Sequence, residues 1–178
     1  MDCFLKGGDR SLVPNPGSTA GYCTKTPAPP PGPPPGPILP LDKARVRHVT
    51  VLGPNGGCET PGVCGAMSAQ LGQYECTQDF GHTVTVEQGI RNLGVNVSYA
   101  AGAVWSDTAP NAAQIDAAIV AANTSDAVVL VLGDSTDTCG EANDRDNLDL
   151  PGSQLDLLAA VTTRLPDTPT IVVLINCR

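Results

Sequence analysis

The chain has 178 residues, with 18 acidic against 10 basic side chains and a net charge of −8, enough for one ordinary domain plus some irregular sequence. That balance disfavours nucleic-acid phosphates and anionic membrane surfaces, both of which require clustered Lys and Arg. No apolar run approaches the roughly 18–20 residues that span a bilayer, and residues 1–10 lack the apolar centre of a secretion leader.

Residues 1–25 are rich in Gly, Pro, Ser and Thr without apolar periodicity, which predicts disorder. The segment TPAPPPGPPPGPILP from Thr26 to Pro40 removes backbone donors and locks φ, so it reads as a polyproline II linker. A boundary near Pro40 separates a disordered segment, 1–40, from a folded domain, 41–178. The β-branched run Val46–Gly53 is the first strand, closed by the turn Gly53-Pro54-Asn55-Gly56-Gly57. A helix follows over Thr83–Leu93 with Gly94 as its C-terminal cap, then a short strand over Val95–Ala100. Asn111–Ala122 is Ala-rich with Ile115, Ile119 and Ala122 on one face, an amphipathic helix. Ala127–Gly133 is continuously apolar and reads as a strand buried on both faces; Ser153–Leu165 is helical, and Thr170–Ile175 is another buried strand. The alternation predicts an α/β fold, a mainly parallel sheet with helices on both faces. Ligands of such sheets bind beyond the carboxyl ends of the strands, which directs attention to the residues after Gly53, Gly133 and Ile175.

Seven cysteines (Cys3, Cys23, Cys58, Cys64, Cys76, Cys139 and Cys177) point to an oxidising compartment, and the odd number leaves at least one unpaired. Two sequons, Asn96-Val97-Ser98 and Asn123-Thr124-Ser125, lean the same way. The expected location is secreted or cell-wall, with the missing leader read as truncation. Without a C-x-x-C pair, and with His82 the one nearby imidazole, Cys58 and Cys64 suit a loop disulfide better than zinc.

The stretch from Asp134 to Asp149 holds Asp134, Asp137, Glu141, Asp144, Asp146 and Asp149 against the single Arg145. As composition alone, it is a solvated acidic loop whose small polar residues make turns and cap the next helix. An EF-hand counted from Asp134 would need glycine and a bidentate glutamate where Cys139 and Arg145 stand, so calcium is not expected there. The glycines after the first strand lack both the dinucleotide and the P-loop order. His48, in mid-strand, reads as a packed or exposed strand residue and not as a base. No cofactor and no metal are assigned.

Read in order, the segments ILPLDKARVRHVTVLGPN, AQLGQYE, TVTVEQGIRNLGVNVSYAAG, AVVLVLGDSTDTCGEANDRDNLDLPGSQLDLL and TPTIVVLIN resemble the C-terminal domain of glycoside hydrolase family 3 over about residues 38–178. The leucine-proline-leucine lead-in and the G-E-x-x-D-R-x-x-L-x-L-P-G stretch carry most of the likeness. The resemblance implies an α/β sandwich packed on an N-terminal (β/α)8-like barrel, with the active site between them. It also implies exo-acting β-glucosidase or β-xylosidase chemistry on a β-linked oligosaccharide or glycoside. In the retaining mechanism a barrel aspartate attacks the anomeric carbon, and a glutamate of the second domain protonates the leaving oxygen and then activates water. Glu141 matches that glutamate, with Asp137 as the fallback. Asp144 and Arg145 match the D-R of the motif and are expected to fix the loop, with sugar contact as their second role.

The departures are as informative as the likeness. Nothing in the chain resembles the barrel, its nucleophile or its sugar-binding Lys-His pair, and the chain ends at Asn176-Cys177-Arg178 where family members continue. A truncated gene model accounts for this, and double displacement is not expected of the chain alone. The alternative is a non-catalytic carbohydrate-binding or interaction module that has lost its barrel. Its aromatic platform would have to come from Tyr74, Tyr99 and Trp105.

Overall fold

The computed structural model describes residues 3–5, 12–14, 37–60, 62, 64–74, 79–106 and 112–177. The polyproline reading of 26–36, the disorder expected for most of 1–25 and the cysteines Cys23 and Cys76 lie outside the described residues. The chain divides into two units, Met1–Pro31 and Gly32–Arg178. In the first, strands β1 (Cys3–Leu5) and β2 (Leu12–Pro14) pair antiparallel, an element the composition of that region did not announce.

The second unit runs β3 (His48–Leu52), α1 (Gly65–Leu71), α2 (Val86–Asn92), β4 (Asn96–Ala100), α3 (Ala112–Ala122), β5 (Ala127–Gly133), α4 (Gln154–Arg164), β6 (Thr170–Ile175). Its four strands form one sheet in the order β4-β3-β5-β6, every pair parallel. The alternating faces of the β-branched runs explain the two cores. Leu52, Val128, Leu130 and Leu132 point to one face, where Ile115 and Ile119 of α3 and Leu157 and Val161 of α4 cover them. Val49, Val51, Val129 and Val131 point to the other, packed with Val97 and with Val86 and Ile90 of α2.

Helix α2 starts where its sequence supplies a capping box. Thr85 Oγ1 accepts from the Gln88 N–H at 3.2 Å, and Gln88 Oε1 accepts from the Thr85 N–H at 3.0 Å. It ends at Gly94, whose φ of 81° is costly for any residue with a Cβ.

One expectation is corrected. β6 was read as buried on both faces, but its exposure alternates: Ile171, Val173 and Ile175 are partly buried, while Val172 is 46% and Leu174 57% exposed. β6 is an edge strand, and its Val172–Leu174 face is about half exposed. A continuous apolar run cannot reveal that the strand stands at an edge.

At the N-terminal ends of the strands the Asp126 carboxylate accepts from the Arg47 and His48 backbone N–H groups at 2.8 and 2.9 Å. These bonds favour the ionised form and hold its pKa below the ordinary carboxylate value. A depressed folded pKa contributes stability that is present above about pH 4, the unfolded carboxylate range, and is lost as pH falls through the folded pKa. Urea midpoints of the wild type and Asp126→Asn are therefore expected to differ at pH 7 and to converge in acid. A gap that stays constant would remove the carboxylate from the account.

Candidate active site

The C-terminal end of β5 is where the sheet delivers a loop to solvent, and Gly133 permits the turn. Its φ is 143°, and a Cβ there would sit 2.0 Å from the Ile175 carbonyl oxygen. Asp134, 7% exposed, is the hub of the loop that follows. Its backbone N–H donates to the Ile175 carbonyl at 3.0 Å, and its carbonyl accepts from Asn55 Nδ2 at 2.8 Å. Its Oδ1 accepts from Thr138 Oγ1 at 3.1 Å and from Arg145 Nη1 at 3.4 Å.

Arg145 also donates through Nη2 to the Asp149 carbonyl at 2.7 Å and to Asn147 Oδ1 at 3.1 Å, so one guanidinium draws together both limbs of the loop. Asp144 makes no such contact among the described residues; the neighbouring D-R pair does not bond to itself, and Arg145 reaches back eleven positions to Asp134. The carboxylate of Asp137 is exposed, while its N–H donates to Ser135 Oγ at 3.2 Å.

Three further restraints act on the loop. Gln154, fully buried at the start of α4, accepts from the Gly133 N–H at 2.8 Å and donates to the carbonyls of Gly133 and Pro151, each at 2.8 Å. Gln73 donates to the Thr136 carbonyl at 2.7 Å. Cys139 is disulfide-bonded to Cys177, just beyond β6, with Cα atoms 6.2 Å apart. The expected Cys58–Cys64 disulfide is also formed, with Cα atoms 5.7 Å apart, and it precedes α1.

Glu141 stands at the tip of this framework. It is exposed, and among the described residues its carboxylate has no hydrogen-bond or ionic partner. The next residue, Ala142, has a φ of 64°, in the left-handed region that costs a residue with a Cβ about 1–2 kcal/mol. Strain of this kind persists only where its surroundings hold it. Beside it Trp105, Asp137, Thr138, Asp144, Arg145 and Pro151 line a cleft of about 240 Å3. Trp105 is fixed by donating Nε1–H to Asn55 Oδ1 at 3.0 Å. A second cavity, of about 520 Å3, lies between the end of α1, the start of the loop and the end of β6. Gln70 lines it, and the Gln70 Nε2 donor is buried without a partner among the described residues.

Asn55, Gln154 and the Cys139–Cys177 bond escaped the reading of the sequence. Asn55 had a visible signal, a polar residue in the turn after the first strand. Gln154 and the disulfide had none, because each acts through a contact distant in sequence. His48 is remote from the loop: its Nε2 lies 2.9 Å from Ser98 Oγ, and its Nδ1 faces the Thr124 carbonyl at 3.4 Å. Among the described residues neither ring nitrogen bonds to a carboxylate. Burial, then the Glu59 carboxylate, pushes the Tyr99 phenol up, which keeps it a donor to the Gly53 carbonyl.

The disulfide closes a long loop, and removing such a link costs about 2 kcal/mol or more. The paired variant Cys139→Ser/Cys177→Ser is expected to lose about 2 kcal/mol in urea unfolding and to be cut faster by protease within 134–151. An unchanged cleavage pattern would mean that Arg145 and Gln154 suffice to hold the loop.

Comparison with known proteins places this geometry. The family model of the glycosyl hydrolase family 3 C-terminal domain matches residues 35–178. A β-xylosidase of Formosa agariphila is 36% identical over 148 residues, covering 79% of this chain and 19% of the relative. A periplasmic β-glucosidase of Salmonella typhimurium is 30% identical over 161 residues, with 79% and 20% covered. Among solved structures, a β-glucosidase of intestinal bacteria involved in saponin metabolism superposes with a TM-score of 0.63 at 26% identity, covering 78% of this chain and 22% of that one. A β-glucosidase from Erythrobacter marinus gives a TM-score of 0.63 at 29% identity, with 76% and 20% covered. The chain thus spans about a fifth of the length of the curated relatives it matches. With the family model covering most of its length and the same sheet in the solved relatives, the chain belongs to glycosyl hydrolase family 3, as its C-terminal domain.

Proposed function

We propose that this chain supplies the second domain of a retaining exo-β-xylosidase or β-glucosidase, with Glu141 as general acid and base. The observation that carries the reading is an unpartnered, exposed carboxylate on a loop otherwise held by an ion pair, a buried amide and a disulfide. A proton donor to a glycosidic oxygen has to be free of internal partners yet held in place, and this loop meets both requirements. Asp144 and Asp137, beside Trp105 in the adjoining cleft, are placed to accept from sugar hydroxyls. The unpaired Gln70 donor in the larger cavity suits a neutral, hydroxyl-rich ligand. The nucleophile comes from an N-terminal (β/α)8-like barrel, the partner this domain requires. Two disulfides among the described residues agree with action outside the cytosol, in a secreted or cell-wall setting.

The test is a chimera in which residues 35–178 replace the matching segment of the Formosa β-xylosidase. Aryl β-xyloside hydrolysis above that of the barrel alone is the expected result. A folded chimera without hydrolysis, together with xylose binding by this chain in the absence of the barrel, would transfer the domain to the class of carbohydrate-binding modules.

A further inference from the structure

The two sequons play no part in the glycosidase reading, and the fold places them together. All four strands of the sheet run parallel, so their N-terminal ends share one pole and their C-terminal ends, with the acidic loop, the other. Asn96 opens β4 directly opposite His48, the first residue of β3. Asn123 lies in the turn between α3 and β5, next to Thr124, whose carbonyl faces the same His48 ring. Both asparagines are exposed, and neither side-chain amide has a hydrogen-bond partner among the described residues. The seven residues of β5 at about 3.3 Å each put this pole some 23 Å from the start of the loop that carries Glu141.

The hydroxyls that complete the sequons are engaged in the folded domain. Ser98 Oγ bonds to His48 Nε2 at 2.9 Å, and Ser125 Oγ bonds to Thr50 Oγ1. Recognition of Asn-x-Ser therefore belongs to the chain before β3, β4 and β5 pair, and the folded domain has only to leave room for the product. It does so at both positions, on a sheet edge and in an exposed turn. The disulfides Cys58–Cys64 and Cys139–Cys177 agree with passage through an oxidising compartment, of which the eukaryotic secretory lumen is the one that carries out this modification.

We infer that Asn96 and Asn123 are N-glycosylation sites, and that the N-terminal pole of the sheet is a glycan-bearing surface facing solvent. The co-reactant is a lipid-linked diphospho-oligosaccharide. The Asn Nδ2 forms a bond to C1 of the sugar while the C1–O bond to the diphosphate breaks. The lipid diphosphate leaves with the electron pair, and the amide gives up one proton. Glycans at this pole stay clear of the loop at the opposite end, and they exclude a protein partner from docking on His48, Asn96 and Asn123. This inference is independent of the role given to Glu141.

The test expresses the full chain behind a cleavable leader in a eukaryotic secretory host and reads cell and medium fractions alike. Treatment with an amidase that releases N-glycans is expected to shift the band down in two steps and to leave aspartate at 96 and 123 in peptide mass spectra. Asn96→Gln and Asn123→Gln should each remove one step, and the double variant both, with the serine hydroxyl bonds left intact. Ser98→Thr and Ser125→Thr, which keep a hydroxyl and the sequon, should retain both steps. Unmodified asparagine at both positions in translocated chain overturns the inference. Modification at one position only would reduce the glycan-bearing surface to that site.

Discussion

In the barrel-containing enzyme, Glu141→Gln is expected to lower kcat/KM on alkyl or oligosaccharide β-glycosides by about 100- to 10,000-fold, the usual contribution of a positioned general acid. On aryl glycosides with a strongly acidic leaving phenol, kcat/KM should change little. Such a leaving group departs without protonation, and kcat/KM reports the first bond-breaking step. The second half-reaction loses its base, so kcat on the activated substrate should fall and be restored by azide, a nucleophile that needs no deprotonation. The difference between substrates, not the size of the loss, carries the assignment. Equal losses in kcat/KM on both would make Glu141 a structural residue. The same selective pattern in Asp137→Asn would move the acid to Asp137, which lines the cleft with Trp105 and Arg145.

The sequence made the frame of this domain easy to read because its buried strands are chemically extreme. Ala127–Gly133 is fully buried and has the bounds its apolar run suggests, and the run Thr170–Ile175 also keeps its bounds as β6. Helix α1 was not visible in the same way. Its seven residues begin with Gly65 and show no apolar period, and the Trp105 ring lies where a Cβ on Gly65 would be, 2.8 Å away. It is set by tertiary packing and by the Cys58–Cys64 link that precedes it, which outweigh a weak local preference. The edge position of β6 was hidden for the opposite reason, since apolar composition records what could be buried and not what covers it.

For the loop, local order showed a dense run of carboxylates around one arginine but not which of them that arginine meets. Six carboxylates and one arginine in succession give no means of choosing a partner by spacing. The partner is Asp134 because the residue just after β5 is the one the sheet holds still, through Asn55 and the Ile175 carbonyl. An exposed neighbour such as Asp144 would lose more side-chain entropy in the same ion pair.

Gln154→Ala is expected to cost about 4 kcal/mol of unfolding free energy, because it leaves the Gly133 N–H and carbonyl and the Pro151 carbonyl without partners and opens a small cavity. Each unsatisfied buried group contributes about 1–3 kcal/mol. For a domain of this size that corresponds to a drop in Tm of about 12 °C. Gln154→Met separates the two causes, since methionine fills nearly the same volume but bonds to nothing. If the amide is what matters, Met keeps most of the loss and hydrogen exchange rises at Gly133 and across 134–151 ahead of the rest of the sheet. If Met restores stability to within about 1 kcal/mol, packing alone holds the start of α4. The base of the Glu141 loop would then rest on Arg145 and the Cys139–Cys177 bond.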